Sequence, residues 1–193
     1  MRFQRTGLFL LLAATAFSAQ AANLDFNLGS NAAAVDYTAS LTDSGLEGDL
    51  LYLHHTNKVD IGAAGVDLVG NASPVGSPLI FGVGGKLFYL NPKNGEGSGS
   101  ALGVGAHFRY TWPTYNRFIL SGELYYAPNI VSFQNVDHFM LVGVSAGYEV
   151  LRNADVYVGY RHVSASFNGS QDVTLDTSFM LGLNLTLDRK SVV

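Results

Sequence analysis

The stretch LDTSFMLGLNLTL, residues 175–187, decides the fold, because it alternates apolar with small or polar side chains over most of its length. Successive side chains of a β-strand point to opposite faces of the sheet. The alternation therefore predicts a strand whose apolar face carries Leu175, Phe179 and the later leucines. The opposite face carries Asp176 and Asn184. A strand with one apolar and one polar face indicates an antiparallel sheet that separates two environments.

The same alternation recurs through the preceding chain, between clusters of Gly, Asn, Asp, Ser and Pro. In residues 118–128, for example, leucines fall on one face and Glu123 falls on the other. In the fourth predicted strand Ala64-Gly65 interrupts the pattern, which predicts a β-bulge. The predicted strands span residues 23–28, 33–41, 46–55, 59–69, 79–90, 101–111, 117–128, 138–150, 155–167 and 174–187.

The depth of the apolar faces distinguishes two architectures. They extend over about six residues, which approaches the roughly 9–11-residue strands that cross a membrane. The polar faces combine charged residues with many glycines, which favours a crowded lumen over an open surface. We therefore predict an all-β, antiparallel transmembrane β-barrel of eight to ten strands, with ten favoured, since bacterial barrels have an even number. A periplasmic β-sandwich, whose strands also alternate, is the alternative.

The first 21 residues have the pattern of a secretory signal peptide. Two arginines precede the apolar run 7–17, and small residues predict cleavage after Ala21. The run is shorter than the ~20 residues of a membrane-spanning helix. The predicted division is thus a signal segment, residues 1–21, and a barrel, residues 22–193. It predicts localisation in the outer membrane of a Gram-negative bacterium.

Charge and cysteine content exclude several classes of function. The formal net charge is −4, and removal of the signal's two arginines, with no acid removed, changes it from −4 to −6. No basic cluster is present, so nucleic acid is not an expected partner. The chain has no cysteine, which excludes disulfides, thiol nucleophiles and thiolate metal sites. His54 and His55 are adjacent and would face opposite sides of a strand, so we expect no metal and no cofactor.

Charges of both signs lie on the faces that a barrel would enclose. An unpaired buried charge costs several kcal/mol, so we expect internal ion pairs, with Arg109 and Glu123 as one candidate pair. A barrel this narrow is filled by its own side chains, which predicts a largely plugged polar lumen. A small passive pore is the alternative. The predicted luminal network is Lys86, His107, Arg109, Glu123, Glu149 and Arg161, together with Asp25, Asp36, Asp49 and Asp60.

Two stretches resemble a known family. The string GGKLFYLNPKNG, residues 84–95, is similar to the G-G-K-x-x-Y-L-N-P-K-x-G stretch of YfaZ-type outer-membrane proteins. The string VGYR, residues 158–161, resembles the penultimate strand of the same family. The resemblance implies an outer-membrane barrel without an established activity. The chain departs from most such barrels by ending in LDRKSVV, residues 187–193, without a terminal aromatic residue.

One short motif points to chemistry. His162-Val163-Ser164 resembles the H-x-S of lipid A 3-O-deacylases, which carry a glutamate 14 residues after the histidine, where this chain has Asp176. The resemblance implies a triad of Ser164 as nucleophile, His162 as base and Asp176 as the orienting acid. Alternation, however, places His162 and Ser164 on the lipid face and Asp176 on the luminal face. A triad would therefore require a β-bulge between them.

Three classes of function follow from the sequence. The leading hypothesis is an integral outer-membrane barrel with a structural, adhesive or ligand-binding role. The alternative is a lipid A acyl-hydrolase that uses the Ser164 and His162 pair, and the second alternative is the small passive pore. In each case the expected partners are outer-membrane lipid and lipopolysaccharide, and the sequence identifies no specific ligand.

Overall fold

The computed structural model of the protein describes residues 21–72, 78–93, 95, 97–167, 169 and 171–188. The predicted signal segment lies outside the described residues, apart from Ala21, which begins the first strand. Within these ranges no helix is long and apolar enough to cross a membrane.

Ten long strands and one short strand make up the fold. Each of the ten predicted strands is present, and its ends differ from the prediction by at most two residues. A 3₁₀ turn at Asn129–Val131 precedes the short strand β8. The strands are β1 (Ala21–Gly29), β2 (Ala32–Ser40), β3 (Leu46–His55), β4 (Val59–Asn71), β5 (Leu79–Pro92), β6 (Gly99–Thr111), β7 (Phe118–Ala127), β8 (Ser132–Gln134), β9 (Val136–Leu151), β10 (Ala154–Phe167) and β11 (Val173–Asp188).

The long strands form a closed antiparallel ring. Consecutive long strands pair with each other, and β1 pairs with β11 from Ala21 opposite Asp188 to Gly29 opposite Met180. The prediction of a ten-stranded barrel is therefore confirmed. Strand β8 lies outside the ring and pairs only with the start of β6. We call the end of the barrel where β1 begins and β11 ends the proximal end, and the opposite end the distal end.

The interruption at Ala64-Gly65 is not a bulge. Strand β4 pairs with β3 and β5 without a shift of register, and Gly65 lies between Asp49 and Lys86. A Cβ at this position would clash with the Asp49 carboxylate and the Lys86 side chain. The glycine thus leaves room for two charged side chains to meet across β4, and the predicted bulge was wrong.

A register shift occurs instead between β10 and β11. Val163 lies opposite Asp176, but Ser164 lies opposite Thr174, so β11 has one extra residue at Leu175. Both Leu175 and Asp176 are buried inside the barrel. The bulge therefore corrects the prediction that Leu175 lies on the apolar outer face.

The outer face of the ring is apolar in its middle and aromatic at its proximal end. Exposed aliphatic and aromatic side chains occur on nearly every long strand, as expected for a lipid-facing surface. At the proximal end the ring of Tyr110 lies 5.5 Å from that of Trp112, and Phe118 contacts Tyr115 and Tyr148 at 6.2 and 5.1 Å. Such rings are typical of the interfacial girdle of a membrane barrel.

A charge on this outer face should oppose membrane folding. Leu183 is 38% exposed and lies between Phe26 and Val156 in the outward-facing row. We expect Leu183→Arg to lower the free energy of unfolding; the loss is about 2–4 kcal/mol for a charge at the bilayer midplane and smaller towards the aromatic girdle. Urea titration of the protein refolded in lipid vesicles measures this change. An unchanged free energy would contradict the assignment of this face to lipid.

Candidate functional site

Apolar side chains fill the distal half of the lumen. They form one cluster to which every strand of the ring except β1 contributes a described residue. The ring of Phe88 lies 4.4 Å from that of Phe139 and 6.1 Å from that of Tyr125. We call this cluster the apolar plug. Its fully buried members with the largest side chains are Tyr125, Phe88, Phe139, Phe167, Leu53, Ile61, Leu90, Leu141, Val59 and Val163.

The proximal half of the lumen is a polar cavity of about 450 Å³. Its wall runs from Asn23 and Thr186 near the proximal end to Leu141, a member of the apolar plug. Carboxylates outnumber cations in this wall. The carboxylates are Asp25, Asp36, Glu47, Asp49, Asp67, Glu123 and Asp155, and the charged cations are Lys86, Arg109 and Arg161, with His107 beside them.

A row of side chains joins β3, β4, β5 and β7 at the base of the cavity. The Nζ atom of Lys86 lies 3.1 Å from an oxygen of Asp49 and 4.5 Å from the centroid of the Tyr125 ring. The Tyr125 hydroxyl donates to both oxygens of Asp67 at 3.1 and 3.0 Å. Within the described residues neither oxygen of Asp49 has a hydrogen bond, so the ion pair with Lys86 balances its charge. Tyr125 therefore links the apolar plug to the polar wall.

A second buried ion pair crosses the bulge between β10 and β11. The Nε atom of Arg161 donates to Asp176 at 2.8 Å, and its Nη1 atom donates to the side-chain oxygen of Asn27 at 2.8 Å. Ser178 also donates to the Asp176 carboxylate. The side chains of Arg161 and Asp176 are 4% and 0% exposed, so this pair is shielded from solvent.

Two further contacts fix the wall nearer the proximal end. Arg109 pairs with Asp155 at 3.0 Å, and the Tyr157 hydroxyl donates to Asp25 at 2.6 Å. A Cβ at Gly182 would overlap the Tyr157 ring, so this glycine provides the space in which the ring lies.

The structure places most of the predicted luminal residues on the inner face. Lys86, Arg109 and Arg161 form ion pairs there, and His107 lies 3.7 Å from Asp67. Glu123 lines the cavity opposite His107 in the strand register. The candidate pair of Arg109 with Glu123 is wrong, because Arg109 pairs with Asp155 instead.

Three observations differ from the sequence predictions for the lumen. Asp60 lies outside it, at the distal rim, where its carboxylate contacts His54 at 2.7 Å and Lys93 at 3.2 Å. Glu149 is half-buried at the proximal end of β9 and does not line the cavity. The lumen is closed by the side chains of the apolar plug and not by ion pairs. Loss of alternation in the distal parts of the strands, as in residues 139–142, was the signal of this plug.

The structure does not bring the three residues of the H-x-S hypothesis together. Asp176 bonds to Arg161 inside the barrel, as strand parity predicts. His162 faces outward, and its Nδ1 atom lies 2.9 Å from the Thr177 hydroxyl. Ser164 follows on the same outer face of β10. The bulge turns Leu175 inward and leaves Asp176 on the luminal side.

No group of three or more histidine and carboxylate side chains suited to a metal ion occurs among the described residues. The bonded polar groups of the cavity form pairs and short chains, as at Lys86 with Asp49 and Tyr157 with Asp25. Such an arrangement stabilises the wall and presents a negatively charged surface to the space inside it.

A closed antiparallel ring with an apolar outer band, an aromatic rim and a polar lumen defines an integral outer-membrane β-barrel protein. The model of the family described as "YfaZ precursor" matches residues 1–187. The Outer membrane protein YfaZ of Escherichia coli (strain K12) is 30% identical over 173 residues, which cover 89% of this chain and 87% of that protein. The chain belongs to the YfaZ family and is an outer-membrane protein.

Solved structures of other barrels are also similar. The KdgM porin has a TM-score of 0.45 at 11% sequence identity, over 86% of this chain and 98% of that one. A structure described as the KdgM porin in complex with disordered oligogalacturonate has a TM-score of 0.45 at 12% identity, with the same coverage.

Proposed function

We propose that this protein is a non-conducting outer-membrane barrel whose blind cavity binds small, positively charged solutes. The observation that carries the proposal is the apolar plug, to which nine of the ten ring strands contribute. An ion that crossed this layer would lose its hydration without gaining polar partners, and apolar constrictions close pores in this way. This observation favours a binding barrel over the passive pore.

The charge of the cavity wall supports the choice of ligand. Seven carboxylates line the cavity against three permanently charged cations. A cleft lined by one sign of charge and surrounded by apolar walls concentrates ions of the opposite sign. We place the proximal end in the periplasm, because β1 begins there directly after the predicted signal segment. Solutes would then enter from the periplasmic side.

Conductance across a planar lipid bilayer tests whether the lumen is closed. We expect the wild-type protein to insert without stepwise conductance. The triple variant Phe88→Ala, Tyr125→Ala, Phe139→Ala removes the three aromatic rings of the plug and should raise the current. Discrete conductance steps from the wild-type protein would overturn the proposal of a closed barrel.

Because the chain has no cysteine, single introduced thiols can probe the cavity, the apolar plug and the outer surface one at a time. Ser121→Cys places a thiol in the cavity wall, Ala101→Cys places one in the apolar plug, and Ile130→Cys provides an exposed distal reference. We expect a cationic thiosulfonate to react with the cavity thiol faster than an anionic one by about tenfold or more, relative to the reference. The plug thiol should stay unreactive. Equal rates for both reagents would remove the case for cationic solutes.

A further inference from the structure

An apolar groove crosses the outer surface in the proximal half of the barrel. It has a volume of about 460 Å³ and lies over β7, β9, β10 and β11. We call it the proximal groove. Its outward-facing residues are Phe118, Ala146, Tyr148, Val156, Val158 and Leu181.

The strand register explains the shape of the groove. Phe118, Tyr148 and Val156 form one row across neighbouring strands. In the next row Ala146 lies between two larger residues, Leu120 and Val158. The small alanine side chain therefore leaves a depression in a surface that otherwise carries long aliphatic and aromatic groups. Because this surface faces lipid, the depression offers an apolar recess to a neighbouring acyl chain.

Two arginines lie in the proximal turns that flank the strands of the groove. Arg117 directly precedes Phe118, and Arg152 lies in the turn between β9 and β10. Both are exposed. Among the described residues they are the two Lys or Arg side chains without a polar partner, since the other five bond to a carboxylate or a backbone oxygen. Both arginines lie at the level of the proximal aromatic girdle, which is the depth of the lipid phosphates.

Glu149, which lies beside Arg117, leaves both arginines available. The backbone N–H of Glu149 donates to the carbonyl oxygen of Arg117 at 2.8 Å, which brings the two residues side by side. Their side chains, however, form no ion pair within the described part of the chain. A negatively charged partner from outside the chain would therefore find two free guanidinium groups and one nearby carboxylate.

We propose that the proximal rim binds a phospholipid, with its phosphate held by Arg117 and Arg152 and one acyl chain in the proximal groove. The combination of free guanidinium groups with an apolar groove matches both ends of such a molecule. A second copy of the chain on this face would instead place its own arginines against these. The site is independent of the cavity ligand proposed above.

The single tryptophan of the chain reports on this site. Trp112 is 49% exposed, and its backbone N–H donates to the carbonyl oxygen of Phe118 at 2.9 Å. Lipids with brominated acyl chains quench tryptophan fluorescence at short range. We refold the protein in phosphatidylcholine vesicles that contain a minor fraction of brominated phosphatidylglycerol. The quenching of Trp112 fluorescence then measures how often the anionic lipid occupies this position. Brominated phosphatidylcholine at the same fraction gives the reference.

We expect the wild-type protein to favour phosphatidylglycerol over phosphatidylcholine at this position by at least about fivefold. This ratio corresponds to the attraction of one cation to an anionic lipid surface. The double variant Arg117→Gln, Arg152→Gln should lose this preference. Ala146→Phe, which fills the groove and keeps both charges, should reduce it as well. Unheated samples that migrate no faster than boiled ones would mark unfolded variants, and these are excluded.

Two matched variants serve as controls. Lys58→Gln removes a charge at the distal end, and Ala64→Phe enlarges a lipid-facing alanine on β4. Neither should change the preference. A preference that survives the double arginine variant would overturn the phosphate site. A preference that survives Ala146→Phe unchanged would show that surface charge alone attracts the lipid, and it would overturn the placement of an acyl chain in the groove. A change in oligomeric state with Ala146→Phe would assign the groove to a second copy.

Discussion

Phe88→Ala should lower the free energy of unfolding by about 3–5 kcal/mol, the range for removal of a large aromatic side chain from a packed core. Phe88 is fully buried, and its ring packs against Phe139 and Tyr125 inside the barrel. The lost side chain leaves a cavity that neither lipid nor water can enter readily. Urea titration of the protein refolded in vesicles, followed by intrinsic fluorescence, measures the change.

Phe81→Ala is the matched control for this change. Phe81 is on the same strand, but it faces outward and is 44% exposed. Acyl chains can fill the space that its ring leaves, so the loss should be clearly smaller than that of Phe88→Ala. Equal losses for the two variants would contradict a plug that is closed to lipid and solvent.

The contrast between these two phenylalanines shows what the sequence could reveal. Phe81 lies in a part of β5 where apolar residues alternate with glycine, so period-two alternation predicts its outward direction. Phe88 lies in the run Leu87-Phe88-Tyr89-Leu90, where both faces are apolar. Parity still assigns Phe88 to the inside, but the polar residues expected of a lumen are missing. The plug could have been predicted from that loss of alternation.

The ion pairs were harder to predict than the faces. Strand parity correctly places Lys86, Arg109 and Arg161 inside, because it depends only on neighbours along the chain. Their partners depend on the lateral register of separate strands. Arg109 is on β6 and its partner Asp155 is on β10, across the lumen. Alternation alone contains no information on a contact of that kind, which explains why the candidate pair of Arg109 with Glu123 was wrong.

Removal of Asp176 should destabilise the barrel by about 3–5 kcal/mol, because it leaves the guanidinium of Arg161 buried without its counter-charge. Both side chains are almost completely shielded from solvent. We expect Asp176→Leu to show this loss in urea titrations of the protein refolded in vesicles. The double variant Arg161→Met, Asp176→Leu should lose less than Asp176→Leu alone, since it removes both charges and leaves apolar side chains of similar length.

The pair of Arg109 with Asp155 provides the comparison that separates burial from pairing. The Arg109 side chain is 37% exposed, so water screens its charge when Asp155 is absent. The Asp155 side chain is only 8% exposed, so the coupling energy from a double-mutant cycle on this pair should lie above the range of about 0.2–1 kcal/mol found for exposed pairs and below that of the shielded pair. A coupling energy of the same size at both pairs would mean that water screens the Arg109 pair no better than it screens the buried Arg161 pair. Additive losses at Arg161 and Asp176 would show that their contact contributes nothing to stability.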